Sequence, residues 1–293
     1  MMRRRKKGTT MSNLESEATI VLVHGAWHNA GHWAPLEAVL KRLGRKTVTL
    51  DLPGHGANAA YGAGYLRGDQ VAFINEPSPV AGVTVDQAAS VVIDVLRQNQ
   101  GGARPILVGH SIGGVIISQV AEQSPELVGR LVYIAGHAPV RLKSAAAYGA
   151  LPEASTGFGE TLFLGNPAAT GAVRINPRGD AAYLERLREA YYNDVPYNAF
   201  LRFARALTPD LPLSFWIEAI SMSAERWGRA PRTYVRCSLD RALAPALQSM
   251  MIAEADQMTP DNPTHVVDLA TSHSPFASQP DTLAQILVNL PSS

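Results

Sequence analysis

The sequence predicts an α/β fold: a mostly parallel central sheet with helices on both faces and a helical insertion in the second half. Three observations carry this. Short apolar runs, several bounded by glycine, alternate with segments of helical period, as a sheet with crossover helices requires. Hydrophobic residues make up 46% of the 293 residues, which supplies a large core and excludes a wholly disordered chain. The alternation then lapses over residues 140–230, where no strand signal appears. Residues 18–139 and 231–293 are therefore expected to form one core, with 140–230 as a helical cap.

Ala18–Val23 is β-branched and ends at His24-Gly25, the pattern of a buried strand. In Trp33–Leu43, Trp33, Leu36, Val39, Leu40 and Leu43 fall on one helical face, and Gly44 follows as a stop. Lys46–Leu50 reads as a strand running into the turn Pro53-Gly54-His55-Gly56. Thr84 and Gln87 fit a capping box that opens a helix to about Arg97. Pro105–Val108 is a strand, Ile112–Glu122 a helix and Arg130–Ala135 a strand; Thr233–Cys237 and Thr264–Leu269 are further strands, and Pro280–Leu290 is a closing helix. Residues 57–83 read as a long glycine-rich loop carrying Tyr61, Tyr65 and Phe73, of the kind that often shapes a site. The 140–230 stretch holds 12 of the 20 aromatics, including Tyr191, Tyr192 and Trp216. That enrichment suits a lid over an apolar pocket, and equally a subdomain burying aromatics in its own core.

A net charge of +1 argues against a general nucleic-acid binder. The single cysteine, Cys237, permits no internal disulfide and excludes a small oxidised scaffold. The basic run Arg3–Lys7 lacks a following apolar segment, so residues 1–17 read as a disordered tail rather than a signal peptide. No stretch reaches the length of a membrane span. A cytoplasmic chain is expected, and a homodimer is compatible with the sequence.

Gly109-His110-Ser111-Ile112-Gly113 matches G-x-S-x-G, placed between a predicted strand and a predicted helix. A strand turning directly into a helix strains its middle residue and leaves no room for side chains two positions either side. Ser111 would then project its hydroxyl above the sheet edge, with the Ile112 N–H at the helix N-terminus facing a developing oxyanion. His24-Gly25-Ala26-Trp27 follows the first strand, and the Ala26 N–H is the expected second donor. Serine chemistry also needs a base and a group to orient it, downstream in the order Ser, Asp, His. His273, between a strand and the last helix, is the expected base; His265 starts its strand, and His110 and His137 lie too near the serine in sequence. Asp240, just after Thr233–Cys237, is the favoured acid, over Asp268 within a strand pattern and Asp256 and Asp261 beside a loop. Substrate contacts are expected at Gly25, Trp27, His110, Tyr192 and Trp216. His24, His28 and His32 recur every fourth residue, but glycines interrupt that helix and no acidic ligand is nearby, so no metal and no cofactor are expected.

Over about residues 18–290 the chain resembles the α/β-hydrolase superfamily, and within it the branch of plant methylesterases, hydroxynitrile lyases and bacterial esterases. The likeness rests on His24-Gly25-Ala26-Trp27, Asp51-Leu52-Pro53-Gly54-His55-Gly56, Gly109-His110-Ser111-Ile112-Gly113-Gly114, Tyr192-Asn193-Asp194, Cys237-Ser238-Leu239-Asp240 and Ser272-His273-Ser274-Pro275-Phe276. It implies Ser111 as nucleophile, Asp240 as acid, His273 as base, and Ala26 and Ile112 as oxyanion donors. The lyases of the branch carry threonine at the place of Gly25 and lysine at the place of Ser274, so the resemblance disfavours lyase chemistry. The expectation is a serine carboxylesterase acting on a small to medium, apolar or aromatic ester. A lyase or other carbon–carbon-cleaving enzyme on the same triad, and a slow or non-catalytic binding protein, are the alternatives.

Overall fold

In a computed structural model, residues 18–290 are described; the tail expected over 1–17 lies outside them, as do residues 291–293. Six strands form a parallel sheet in the order β2-β1-β3-β4-β7-β8. They are β1 (Ile20–Val23), β2 (Thr47–Thr49), β3 (Ile106–His110), β4 (Arg130–Ile134), β7 (Arg232–Cys237) and β8 (His265–Leu269). β1, β3 and β4 are buried throughout, as strands covered on both faces must be, whereas the edge strand β8 exposes His265 and Asp268.

Seven helices of eight residues or more accompany the sheet: α1 (Ala34–Arg42), α2 (Val85–Gln98), α3 (Gly113–Gln123), α4 (Ala181–Tyr191), α5 (Tyr197–Ala204), α6 (Pro245–Met258) and α7 (Pro280–Val288). From β1 the chain steps outward to β2 and then returns past β1 to β3, so the direction of travel reverses between β1 and β3. Right-handed crossovers travelling in opposite directions place their helices on opposite faces. Accordingly α1 packs with α7, and α2 packs with α3. Ligands bind beyond the strand ends at such a reversal point, and here the loops after β1 and β3 lie side by side.

The helix α6 escaped sequence reading because a polar residue, Gln248, sits at a buried position of its stripe. Two further differences lie in the insertions. Residues 57–83, expected as a loop, contain short helices at Ala63–Arg67 and Gln70–Asn75, the second capped by Asp69. Residues 140–230, expected without strands, contain β5 (Ala172–Arg174) and β6 (Asp210–Pro212), paired antiparallel. Helices of five and six residues and strands of three are too short to show a period. The insertions are fastened together by Arg174, fully buried, which clasps the Asp210 carboxylate through Nε at 2.6 Å and Nη2 at 2.8 Å. Arg174 also donates to the Phe73 carbonyl, while Ser78 Oγ donates to Asp210 Oδ2 at 2.6 Å.

Candidate active site

Ser111 stands at the turn from β3 into α3 with φ +53°, a left-handed conformation that is strained for a residue with a side chain. The flanking glycines explain how the turn closes. A Cβ on Gly109 would stand 2.8 Å from the Gly113 carbonyl oxygen, and one on Gly113 would stand 2.6 Å from the His24 carbonyl oxygen. Strand, turn and helix therefore pack backbone to backbone, and any side chain at either position would push Ser111 out of place.

On the neighbouring loops, His273 Nδ1 lies 2.7 Å from Asp240 Oδ2, and both residues are buried. Asp240 meets a donor on every side. Its Oδ1 accepts from the Ala242 and Leu243 N–H groups at 2.8 and 2.9 Å, and its Oδ2 also accepts from Gln248 Nε2 at 3.1 Å. The carboxylate is thus held as an acceptor, which fixes His273 with its proton on Nδ1 and leaves Nε2 as the free base. Ser111 and His273 line one cavity. The alternatives for the acid lie elsewhere: Asp268 pairs with Arg236 on the surface, and Asp256 accepts from the Thr264 N–H.

Ala26 and Ile112 line the same cavity, and among the described residues no backbone acceptor takes either N–H. Trp27 lines it too, with φ +62°, and is pinned in that conformation. Its indole N–H donates to the Val173 carbonyl at 2.9 Å, and its own carbonyl accepts from the Thr208 N–H at 2.8 Å. Trp216 is a fourth wall residue. Gly25 contributes absence of bulk: a Cβ there would stand 2.7 Å from His110 Nδ1 and 2.9 Å from the Ser111 Cβ. His110 and Tyr192 do not line the cavity. His110 packs behind it, and Tyr192 is fully buried with its hydroxyl 2.6 Å from His28 Nε2. The wall position belongs to Tyr191, whose ring meets His273 and Trp27 edge-on at 5.6 Å. Sequence reasoning also missed Phe163, Glu160 and His137 as lining residues and Gln248 as a partner of Asp240; a polar residue at a buried helical position was the one available signal.

The cavity at Ser111 measures about 30 Å³. It adjoins a wider chamber of about 250 Å³, both being lined by His137, Glu160, Trp216, Ala242 and Leu243.

Burial keeps the surrounding imidazoles neutral. It lowers His137 to about 3, with His273 adding to the effect, and His32 and His55 to about 4. His24, His28 and His110 are pushed well down for the same reason. Their hydrogen bonds agree. His24 Nε2 accepts from the Leu52 N–H at 3.1 Å, and His28 Nδ1 lies 2.6 Å from the Ala26 carbonyl, leaving Nε2 to accept from Tyr192.

This geometry has relatives. A profile described as the Alpha/beta hydrolase family matches residues 20–286. The chain belongs to this family. Among its curated relatives is the putative methylesterase 14, chloroplastic, of Arabidopsis thaliana, 29% identical over 92% of this chain and 71% of the relative. Another is the pyrethroid hydrolase of Sphingobium wenxiniae, 27% identical over 92% of this chain and 86% of the relative. Among solved structures of the same fold, a pyrethroid hydrolase superposes with a TM-score of 0.72 at 24% identity, covering 93% of this chain and 96% of that one. Polyneuridine aldehyde esterase superposes with a TM-score of 0.71 at 20% identity, covering 94% and 99%.

Proposed function

We propose that this chain is a serine carboxylesterase that hydrolyses small to medium, apolar or aromatic esters through an acyl-enzyme. The observation that carries the reading is the buried His273–Asp240 hydrogen bond of 2.7 Å beside a strained serine on the same cavity. His273 Nε2 takes the Ser111 proton as Oγ attacks the ester carbonyl. The free N–H groups of Ala26 and Ile112 receive the oxyanion, a donor of this kind contributing about 3 kcal/mol to the transition state. His273 returns the proton to the departing alcohol and then activates water, which releases the acid and restores Ser111. Asp240 stabilises the imidazolium and holds its tautomer without taking its proton. Residues 140–230 act as a cap, supplying Phe163, Tyr191, Leu211 and Trp216 above the serine.

That the named relatives are esterases and hydrolases supports this reading over a lyase. So does Gly25, which offers no side-chain hydroxyl to a substrate and has no room for one beside His110. A location in the cytoplasm goes with this proposal, supported by the absence of any cysteine pair.

Stopped-flow hydrolysis of p-nitrophenyl acetate and butyrate tests it. The expected result is a burst followed by steady turnover, with Ser111→Ala lowering kcat at least about a thousandfold while the fold survives. Turnover retained in Ser111→Ala overturns the assignment, and a single stoichiometric burst without turnover points to a binding protein.

A further inference from the structure

We propose that the ester this enzyme prefers carries a positive charge, a quaternary or protonated tertiary amine, bound where the outer chamber meets the inner cavity, between the Glu160 carboxylate and the aromatic wall formed by Trp216 and Phe163. The inference rests on the esterase reading and narrows its substrate class, from apolar or aromatic esters in general to those that also carry an ammonium group.

The charge balance of the two chambers is one-sided. Neither is lined by a lysine or an arginine, and Glu160 is the one carboxylate lining both. The imidazole facing both, His137, is kept neutral by burial, which lowers its pKa to about 3. Glu160 sits in a short 3-10 turn, Gly159–Leu162, of which Gly159, Glu160 and Thr161 line the outer chamber. Among the described residues its carboxylate has neither an ion-pair partner nor a hydrogen bond. The residue as a whole is exposed, and what burial its carboxyl has raises its pKa. An unpaired carboxylate lining chambers without a basic residue gives them a negative potential that attracts a cation.

The aromatic side of the chamber suits the same ligand. A carbon built on Gly149 would stand 2.3 Å from Glu160 Oε1 and 3.5 Å from Trp216 Cζ2, so the carboxylate and the indole edge border the same small space, which only a glycine leaves open. Trp216 meets Phe163 edge-on at 5.9 Å, and Phe163 meets Trp27 at 5.8 Å. Aromatic rings beside one carboxylate suit an alkylammonium group, the rings burying its alkyl carbons and the carboxylate meeting its charge. The same wall would bind a neutral alkyl group by burial alone, and the carboxylate would repel an ester bearing a second anion. Glu160 is thus assigned the choice among esters, and Ser111 the chemistry common to all of them.

The test compares butyrylcholine with dimethylbutyl butyrate, its isostere in which carbon replaces the charged nitrogen. The wild type is expected to favour the cationic ester in kcat/KM by about tenfold. Glu160→Gln should bring the ratio close to one, and Glu160→Lys should invert it. Equal rates in the wild type, or a preference that survives both substitutions, overturn the inference while the esterase reading stands. If neither ester nor p-nitrophenyl butyrate is turned over by the wild type, both readings fall.

Discussion

The side chain next to Ser111 holds the main chain of His273: His110 Nε2 lies 2.8 Å from the carbonyl oxygen of His273 and donates to it. The tautomer is settled by burial, which keeps His110 neutral, and by Nδ1, which points at Gly25 without a partner. The ring also packs edge-on against Phe276 at 5.1 Å. His110 does not line the cavity, and on the proposed mechanism its part is to position His273. His110→Ala should leave a buried carbonyl unpaired and let the His273 loop drift. A shift of about 1 Å is enough to cost roughly a hundredfold in rate. The expected outcome is a fall in kcat of about ten- to a hundredfold with KM little changed, and partial recovery in His110→Gln, whose amide can reach the same carbonyl. A change in melting temperature alone, with kcat intact, would reduce His110 to a packing role.

Asp240 makes the sharper test of the triad. Two backbone N–H groups hold its Oδ1, while Gln248 and His273 donate to its Oδ2. In Asp240→Asn the amide oxygen stays on the two backbone donors, and the amide nitrogen faces His273 Nδ1. The imidazole must then accept at Nδ1 and carry its proton on Nε2, where it cannot receive the serine's. A drop in kcat of about ten-thousandfold is expected, the size seen when the same exchange is made in a serine protease triad. Steady-state kinetics of Asp240→Asn, Ser111→Ala and the double variant check it. The double variant should be no slower than Ser111→Ala alone, and additive losses would mean the two residues act separately.

Much of this arrangement was legible before any coordinates. The Gly109 and Gly113 spacing announces a strand-to-helix turn because its backbone contacts leave room for nothing else. The placement of Asp240 and His273 just after predicted strands follows from where strand ends must open in a parallel sheet. What could not be read depends on rotation and on tertiary partners. Tyr191 and Tyr192 are adjacent at the end of α4, and a turn of roughly 100° per residue sends one into the cavity and the other to His28. Nothing in their own sequence says which. Gln248 looks like a surface residue until Asp240 and the backbone of Cys237 are seen around it. Arg174, fully buried, reads as an exposed charge because its partner Asp210 is far away in sequence.

The segment after α4 and the loops that carry His273 and Asp240 are joined by a carboxylate whose contribution depends on pH. Asp194 Oδ2 accepts from Thr271 Oγ1 at 2.7 Å and from the Ser272 N–H at 3.0 Å, and the neighbouring Asn193 donates to the Leu239 carbonyl at 2.8 Å. One short segment after α4 thus ties down the loops of both His273 and Asp240. Burial alone would raise the Asp194 pKa, but the hydrogen bonds from Ser272 and Thr271 outweigh it and hold the carboxyl below its ordinary value. A group whose pKa is depressed by folding stabilises the native state above its unfolded pKa, here about 3.9, and that contribution is lost as pH falls through the folded value. Asp194→Asn should therefore melt below the wild type at pH 7, by about 2–4 °C for each kcal/mol removed. The gap should hold down to about pH 5 and narrow below about pH 4, as the wild-type carboxyl takes up a proton and loses the same hydrogen bonds. Melting curves of both proteins across this range decide the matter. A gap that persists unchanged into acid would mean that the amide fails for steric reasons and that the charge of Asp194 contributes nothing to holding the loops.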